Sequence, residues 1–508
     1  MPRPSPSAAD PASLSAIEQR RLIGSRALSP VKLLEACIAR IEAHNPSVNA
    51  ICGTDFERAR EAARAAEAAV MRGDALPPLH GLPVGIKDLE DTAGLLTTYG
   101  NIAWRGHVPL HDSLIVERLR AAGAIVLAKT NTPDFGAGAN TRNAVWGATG
   151  NPFDPRLNAG GSSGGSAVAL ALDMLPLATG SDVGGSLRIP AALCGVVGLR
   201  PSPGRVAMPR RELGFDPLPV VGPMARSVAD LALMLDAISG FDARDPWSHD
   251  VQKVGTLQAP PLHSLSIGFT EDFGCCAVDE DIRRVFRARI AALAPQLRRC
   301  EPVALHFADA DRAFDILRGE GYLAQHGAAW RDAPGTLAPQ VIANLELASG
   351  FTLADRAWAA QAQSRMQRAL SAAMQAHDLI VSPVTPVSPF PWTTLFAQQV
   401  QGRAMDTYYR WLALSYVITL TTHPALALPC GRDEQGLPFG LQCVGRLHGD
   451  AALLGAALAL EAAFNADAAT ARPRPELAAL RTPRPELESI VTHPPVSMAP
   501  LDPAAASR

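Results

Sequence analysis

Two Gly/Ser turns lie close together in this chain, within residues 160–186, which read GGSSGGSAVALALDMLPLATGSDVGGS. A short apolar helix and a strand are expected between them, so both turns can meet at one end of a sheet. Glycine lets backbone N–H groups approach a ligand closely, and serine supplies a reactive oxygen. The stretch therefore predicts a nucleophile site.

Two common interpretations of such a loop fit less well. The spacing matches neither GxxxxGK[ST] nor GxGxxG, so nucleotide binding is not indicated. Residues 161–165 formally match the GxSxG elbow of α/β-hydrolases, with His423 as the attractive histidine. That elbow has to follow a strand, whereas residues 151–159, NPFDPRLNA, are turn-forming. The α/β-hydrolase interpretation therefore remains an alternative.

A third interpretation adds Lys87, in GLPVGIKDL. This segment, followed by GGSSGGSAVALA and GSDVGGSLRIPAALCGVVGLRPSPGRV, resembles the successive motifs of the amidase signature family. The resemblance runs almost without gaps over residues 77–229, including KTNTPDF, NPFDP and GPMARSVAD, and continues more weakly through PALALPCG. It implies an amidase signature fold and a hydrolase most like the stand-alone bacterial amidases, which act on linear amide C–N bonds through an acyl-enzyme.

The resemblance also implies roles for three residues: Ser186 is the nucleophile, Ser162 is a bridging serine on a cis peptide, and Lys87 is the final proton acceptor. A lysine is a base only when neutral, so a pKa of about 10.4 has to fall by about three units. Burial in the apolar strand LPVGIK lowers it. Asp88 would oppose the shift, but successive strand side chains point to opposite faces.

The second turn is expected to stabilise negative charge. The resemblance implies an oxyanion hole of four backbone N–H groups, those of Val183, Gly184, Gly185 and Ser186. Asp182 and Arg188 are expected to pair and hold the turn, and Ser163 to hydrogen-bond within the same cluster. Cys194 is interpreted as a small buried hydrophobe.

The substrate pocket is expected to draw on side chains flanking both turns and on a Pro-rich segment. The candidates are Phe135, Asn140, Trp146, Met208, Phe215, Phe390, Trp392 and Phe396. Their mostly apolar character favours an apolar or aryl amide. Glutaminase subunits of tRNA-dependent amidotransferases usually carry an acidic residue in the segment equivalent to 407–423, which here has no Asp or Glu. A stand-alone amidase is therefore favoured, with a glutaminase subunit or a catalytically idle assembly subunit as alternatives.

The composition limits the kinds of partner and cofactor that we expect. The 508 residues carry a formal net charge of −3, which indicates no nucleic-acid surface. The eight cysteines show no CxxC or zinc-like spacing, and no metalloprotease motif occurs, so neither a metal nor another cofactor is expected. The sequence shows no apolar run of about 18 residues and no signal peptide, so we expect a cytoplasmic protein, without a membrane partner, that acts on a small amide. A homodimer is one oligomeric state that we consider.

Strand-like and helix-like segments alternate along the chain. This predicts an α/β fold with a large mixed, mostly parallel twisted sheet and helices on both faces. Helices are expected to begin after Ser29, Asp55, Asp112 and Ser227. We expect a loose segment 1–28 and an amidase domain 29–464, with a catalytic core at 77–229 and a helical covering insertion at 279–376. Residues 465–508, with two copies of PRPEL, are expected to be a partly disordered tail.

Overall fold

A computed structural model describes residues 10–496. In this part of the chain the helices are α1 Ala16–Gly24, α2 Pro30–Val48, α3 Phe56–Arg72, α4 Leu114–Ala121, α5 Gly164–Ala171, α6 Arg188–Cys194, α7 Val228–Ile238, α8 Glu280–Leu293, α9 Ala310–Asp332, α10 Pro339–Ser349, α11 Leu353–Ala373, α12 Ala413–Thr421 and α13 Asp450–Asn465. Within the same residues, no helix is long and apolar enough to cross a membrane.

The strands, over the same range, are β1 Ile51–Thr54, β2 Pro83–Lys87, β3 Ile125–Thr130, β4 Arg142–Asn143, β5 Gly147–Ala148, β6 Leu177–Asp182, β7 Val197–Arg200, β8 Val220–Ala225, β9 Ser266–Phe269, β10 Arg299–Pro302, β11 Leu379–Pro383, β12 Gln399–Val400, β13 Arg403–Ala404, β14 Ala425–Arg432 and β15 Pro438–Val444. Eleven of them form one sheet in the order β1-β3-β2-β6-β8-β7-β14-β15-β11-β9-β10. The pairs β4–β5 and β12–β13 are separate ribbons.

The predicted large mixed sheet with helices on both faces is confirmed. Helices α5 and α6 pack on one face, and α7 and α13 pack on the other. Parallel pairing is confined to two wings, β3–β2–β6 and β11–β9–β10, and the remaining neighbours are antiparallel. The parallel share is therefore smaller than the sequence suggests. One cause is the short β14–β15 connection, which has no room for a crossover helix.

Helix starts follow the capping residues closely. The side chains of Ser29, Asp55 and Ser227 each accept a hydrogen bond from an N–H of the first turn, as predicted. Helix α4 instead begins after Ser113. The Asp112 carboxylate accepts from the Ala93 N–H (2.7 Å) and from Arg120 Nε on α4 (2.8 Å), so it ties a loop to the helix instead of capping it.

The amino-terminal segment is folded where it is described, which corrects the expectation of a loose segment from 1 to 28. Helix α1 buries Ala16 and Ile23, and the Gln19 side chain donates to the Pro11 carbonyl oxygen at 2.9 Å. The Ile17 N–H donates to a carboxylate oxygen of Asp230 on α7 at 3.0 Å. These contacts dock the segment on the domain. Residues 1–9 lie outside the described part.

The tail is also attached to the domain as far as residue 496. Leu480 and Leu487 are buried, and the Arg484 N–H donates to the Pro46 carbonyl oxygen at 2.9 Å. The Thr492 N–H donates to the Ala144 carbonyl oxygen at 3.0 Å. The expected disorder is therefore absent from 465–496, because a few apolar anchors and backbone hydrogen bonds hold this Pro-rich segment. Residues 497–508 lie outside the described part.

Candidate active site

The topology brings the two turns and Lys87 to one edge of the sheet. Strands β2 and β6 are parallel neighbours, so Lys87 at the end of β2 lies near the turn that follows β6. Ser162 and Ser163 immediately precede α5, which packs on these strands. Gly180 in β6 permits the close approach, because a Cβ there would lie 2.5 Å from Leu187 Cδ2 and 2.9 Å from Ser163 Oγ.

Lys87 is fully buried, with 0% of its surface exposed. Its Nζ lies 2.6 Å from Ser162 Oγ and 2.9 Å from the Oγ atoms of both Ser163 and Ser181. The Gly161–Ser162 peptide is cis, as the resemblance implied. A neutral amine can donate to two of these hydroxyls and accept a proton from the third through its lone pair. Ser181 was not predicted from the sequence.

Burial lowers the pKa of Lys87 to about 7, against the opposing effect of the Glu90 and Asp182 carboxylates. Asp88 does not contribute, because its carboxylate is directed elsewhere, as predicted. It accepts from the Thr98 hydroxyl at 2.5 Å and lies 3.8 Å from Lys129 Nζ. Lys87 is therefore poised to be neutral just above pH 7.

This shift has a consequence for stability that can be measured. The folded pKa of Lys87, about 7, lies below its unfolded value of about 10.4, so between these values the unfolded chain binds more protons. Relative to Lys87→Met, wild-type stability should therefore rise with pH by up to about 4 kcal/mol from pH 7 to pH 10. Urea unfolding of both proteins across this range measures the difference. A difference that stays constant with pH would contradict the buried, neutral amine.

A buried ion pair holds the second turn, as predicted. Arg188 Nε and Nη2 donate to the two carboxylate oxygens of Asp182 at 3.0 and 2.8 Å. Burial alone would favour the neutral acid, but the Arg188 guanidinium keeps the pKa of Asp182 below its usual range. Arg188 also donates to Gln442 Oε1 at 2.7 Å, which ties the turn to β15.

The turn offers three free N–H groups rather than the four expected. The Gly185 N–H donates to Asp182 Oδ1 at 3.0 Å, because the carboxylate folds back beneath the turn. Gly185 adopts a φ of 117°, a conformation that favours glycine. Within residues 10–496, the N–H groups of Val183, Gly184 and Ser186 have no protein acceptor. Gly185 is therefore a residue that shapes the turn, and the other three are the available donors.

These groups open onto a cavity of about 620 Å³. Ser162, Ser181, Ser186, Val183 and Gly184 all line it. No hydrogen bond joins the Ser186 hydroxyl to that of Ser162 among the described residues. The cavity wall therefore combines three serine hydroxyls, two of which are hydrogen-bonded to the buried Lys87 amine behind them, with backbone N–H donors. These groups can support nucleophilic attack on a carbonyl.

The predicted pocket residues divide into two groups. Phe135 and Met208 line the cavity, whereas the remaining six do not: Asn140, Trp146, Phe215, Phe390, Trp392 and Phe396. The Asn140 amide instead donates to the Trp392 and Thr394 carbonyl oxygens, so it fastens the Pro-rich segment.

The other candidates that do not line the cavity either pack against neighbouring side chains or are exposed to solvent. The Trp146 indole N–H donates to Thr98 Oγ1 at 2.9 Å, and Phe390 packs edge-on against Trp411. Trp392 lies in a cluster with Leu487 of the tail. Phe215 is 83% exposed and borders a neighbouring depression of about 260 Å³.

Sequence reasoning missed the wall formed by α9. Its cavity-lining residues include Phe314, Arg318, Tyr322 and His326. Their regular spacing of four residues places them on one helix face and was the available signal. This wall lies within segment 279–376, whose covering role stays a prediction. From segment 407–423, Leu412 lines the cavity.

His423 and Cys194 lie away from the cavity. His423 is buried, with Nε2 3.2 Å from Ser371 Oγ and Nδ1 3.0 Å from the Thr421 carbonyl oxygen. The elbow motif would use Ser163 as its nucleophile, and neither contact reaches Ser163, so His423 does not serve as the histidine of an elbow. Burial raises the pKa of the Cys194 thiol, which makes it a poor nucleophile. Residues 10–496 contain no cluster of three potential metal ligands.

Comparison with known proteins agrees with this geometry. A model of the family described as Amidase matches residues 32–454. A glutamyl-tRNA(Gln) amidotransferase subunit from Chloroflexus aurantiacus is 33% identical over 455 residues, 84% of this chain and 92% of that protein. An acylamidase from Rhodococcus erythropolis is 33% identical over 460 residues, 88% of this chain and 95% of that protein.

Solved structures show the same fold. A bacterial aryl acylamidase of the amidase signature family has a TM-score of 0.83 at 27% identity, covering 89% of this chain and 96% of that one. A 6-aminohexanoate cyclic dimer hydrolase has a TM-score of 0.80 at 27% identity, covering 92% and 99%. This chain belongs to the amidase family. The prediction of an enzyme acting on amide C–N bonds is confirmed at that level.

Proposed function

We propose that this chain is an amide hydrolase that cleaves a carboxamide C–N bond through an acyl-enzyme on Ser186, within a domain formed by residues 29–464. The supporting observation is the buried Lys87 amine, which lies within hydrogen-bond distance of three hydroxyls beside the cavity. An amine with a pKa near 7 is a base at neutral pH, and serine needs a base to attack a carbonyl.

In the first half-reaction the Ser186 oxygen attacks the amide carbonyl. Its proton passes to Ser162 Oγ, and the Ser162 proton passes to the lone pair of Lys87 Nζ. The C–N bond then breaks, and the same relay returns a proton to the nitrogen, which leaves as ammonia or an amine. The relay requires the Ser186 hydroxyl to approach Ser162 when substrate binds, and such contacts often tighten only in that complex.

In the second half-reaction water attacks the ester that joins the acyl group to Ser186, and it gives its proton to the same relay. The ester C–O bond breaks, Ser186 regains its proton and the acid is released. In both steps the N–H groups of Val183, Gly184 and Ser186 hydrogen-bond the oxyanion, each worth about 100-fold or more in rate. Phe135, Met208 and the α9 wall favour an apolar or aryl group beside the amide.

A second candidate is the glutaminase subunit of an amidotransferase, because a glutamyl-tRNA(Gln) amidotransferase subunit is 33% identical to this chain. Glutamine carries an ammonium group that needs a partner. Segment 407–423 presents the apolar Leu412 to the cavity and contains no Asp or Glu. This segment therefore provides no partner for that ammonium group, which favours the stand-alone amidase.

A release assay over four compounds tests the proposal. Hexanamide, benzamide and acetanilide should be hydrolysed, with ammonia or aniline released, and glutamine should be a much poorer substrate. The Ser186→Ala variant, purified in parallel, measures contaminating activity. A preference for glutamine would instead support the glutaminase subunit, and no hydrolysis of any compound, with copurifying partners, would support an idle assembly subunit.

A further inference from the structure

Arg318 is a buried cation in the wall of the substrate cavity. It lies on α9, is only 9% exposed, and lines the same space as Ser162 and Ser186. Its hydrogen bonds all go to neutral groups: the Asn344 side-chain oxygen, the Tyr322 hydroxyl (2.8 Å) and the Tyr408 hydroxyl (2.5 Å). Within residues 10–496, no carboxylate lies within 4 Å of its guanidinium.

Other buried cations near the site have a carboxylate partner. Arg188 is bound by Asp182 at 2.8 Å, and Arg410 by Asp315 at 2.8 Å. Asp315 lies on α9 one turn from Arg318, but it is already bound by Arg410 and by the Tyr409 hydroxyl. A buried charge without a counter-charge is costly unless a ligand neutralises it.

The surroundings of Arg318 suit an anionic group. Its guanidinium carbon lies 4.3 Å from the ring centroid of Tyr322 and 4.5 Å from that of Tyr409, and these rings hold the cation without neutralising it. Tyr322 lines the cavity, and its hydroxyl accepts from Arg318 and lies beside the Tyr408 hydroxyl, so it can turn its proton from Tyr408 to a ligand. A carboxylate could therefore receive hydrogen bonds from both side chains.

The cavity connects this cation to the reacting centre. A Cβ at Gly184, in the turn beside Ser186, would lie 3.5 Å from Phe314 Cζ and 3.6 Å from Leu412 Cδ1. Phe314 precedes Arg318 by four residues, a rise of about 6 Å along the helix. An apolar spacer against Phe314 and Leu412 would thus place a charged end at Arg318. The carboxylates that line the cavity, Glu90, Asp91, Glu212 and Asp216, all lie more than 4 Å from Arg318.

We infer that Arg318 and Tyr322 form a subsite for a carboxylate, and that the preferred substrates are amides with a carboxylate separated from the scissile bond by a short apolar spacer. The inference rests on the proposed amide hydrolysis and names its substrate class. Arg318 acts here as a specificity residue that contacts the substrate.

Two matched substrate pairs test the inference. Adipic acid monoamide is compared with hexanamide, and 4-acetamidobenzoate with acetanilide, so that the carboxylate lies on the acyl side in one pair and on the amine side in the other. In at least one pair, kcat/KM should be about 10- to 100-fold higher for the carboxylated member, as expected for charged hydrogen bonds. The ratio should fall towards one in Arg318→Gln and fall partly in Tyr322→Phe, which keeps the ring.

Arg312→Gln is the matched control, because Arg312 lies on the same helix but is exposed and paired with Asp355. It should leave the ratio unchanged. A wild-type ratio of one or less in both pairs would overturn the inference, and so would a ratio that persists in both Arg318→Gln and Tyr322→Phe.

Binding provides a readout that is independent of turnover. Calorimetry on Ser186→Ala should show tighter binding of the carboxylated member in at least one of the two pairs, and the added Arg318→Gln change should remove the difference. If wild type hydrolyses no amide while this binding difference holds, the proposed reaction fails and the subsite stands. Equal binding within both pairs would overturn the subsite.

Discussion

Replacing Ser186 with alanine should lower kcat for amide hydrolysis by about 10⁴-fold or more while leaving the fold intact. The loss removes the attacking oxygen, and the relay of Ser162 and Lys87 then has no nucleophile to activate. The Ser186 hydroxyl makes no hydrogen bond to another side chain within 10–496, so its removal should cost little stability. Steady-state kinetics and thermal unfolding of the purified variant measure both effects.

Cys194→Ala is the control for Ser186→Ala. Cys194 follows the same turn, and its buried thiol donates only to the Ala159 carbonyl oxygen at 3.4 Å, so activity should persist. If Ser186→Ala retains wild-type turnover, the nucleophile lies elsewhere, and Ser163 and Cys194 become the next candidates. If Cys194→Ala folds normally but is inactive, the assignment also has to be revised.

Replacing Lys87 with alanine should lower kcat/KM by about 10³- to 10⁴-fold and change the pH profile. The pKa of Lys87 is about 7, and the neutral amine is the base, so wild-type kcat/KM should rise with pH through about 7 and then level off. Without the amine this rise should disappear. The profile of kcat/KM from pH 5 to pH 9 measures the difference.

Lys87→Arg separates the charge from the proton transfer. Arginine carries a positive charge and cannot lose its proton in this range, so this variant should be as inactive as Lys87→Ala. Lys32→Ala, on the exposed surface of α2, is the matched control and should retain the wild-type profile. An unchanged rise through pH 7 in Lys87→Ala would exclude this residue as the base.

The local part of the site could be predicted because short segments determine it. These residues, Ser162, Ser163, Asp182 and Arg188, lie within the continuous segment of α5, β6 and the two turns. Their contacts follow from that segment and from the position of Lys87 at the end of β2. Ser181 was missed although it precedes Asp182, because its contact with Lys87 depends on β2 and β6 being neighbours.

The far wall of the cavity could not be predicted, because long-range topology sets it. Helix α9 begins 124 residues after Ser186, and nothing in the sequence near the turns indicates that Arg318 faces them. Aromatic residues that the sequence suggested for the pocket, such as Trp146 before the first turn and Trp392 in the Pro-rich segment, are instead used for packing. The attachment of the tail could not be predicted either. Its Pro-rich composition gives no sign that Leu480 and Leu487 are buried.

The central claim is that an acyl group forms on Ser186, and mass spectrometry tests it most directly. Wild-type protein is labelled with a fluorophosphonate, or quenched during turnover of acetanilide, and digested at both aspartate and arginine. Peptide 182–188, DVGGSLR, then carries Ser186 as its one hydroxyl nucleophile, while Ser162, Ser163 and Cys194 fall in other peptides. The account predicts the adduct on 182–188; an adduct confined to another peptide would contradict it.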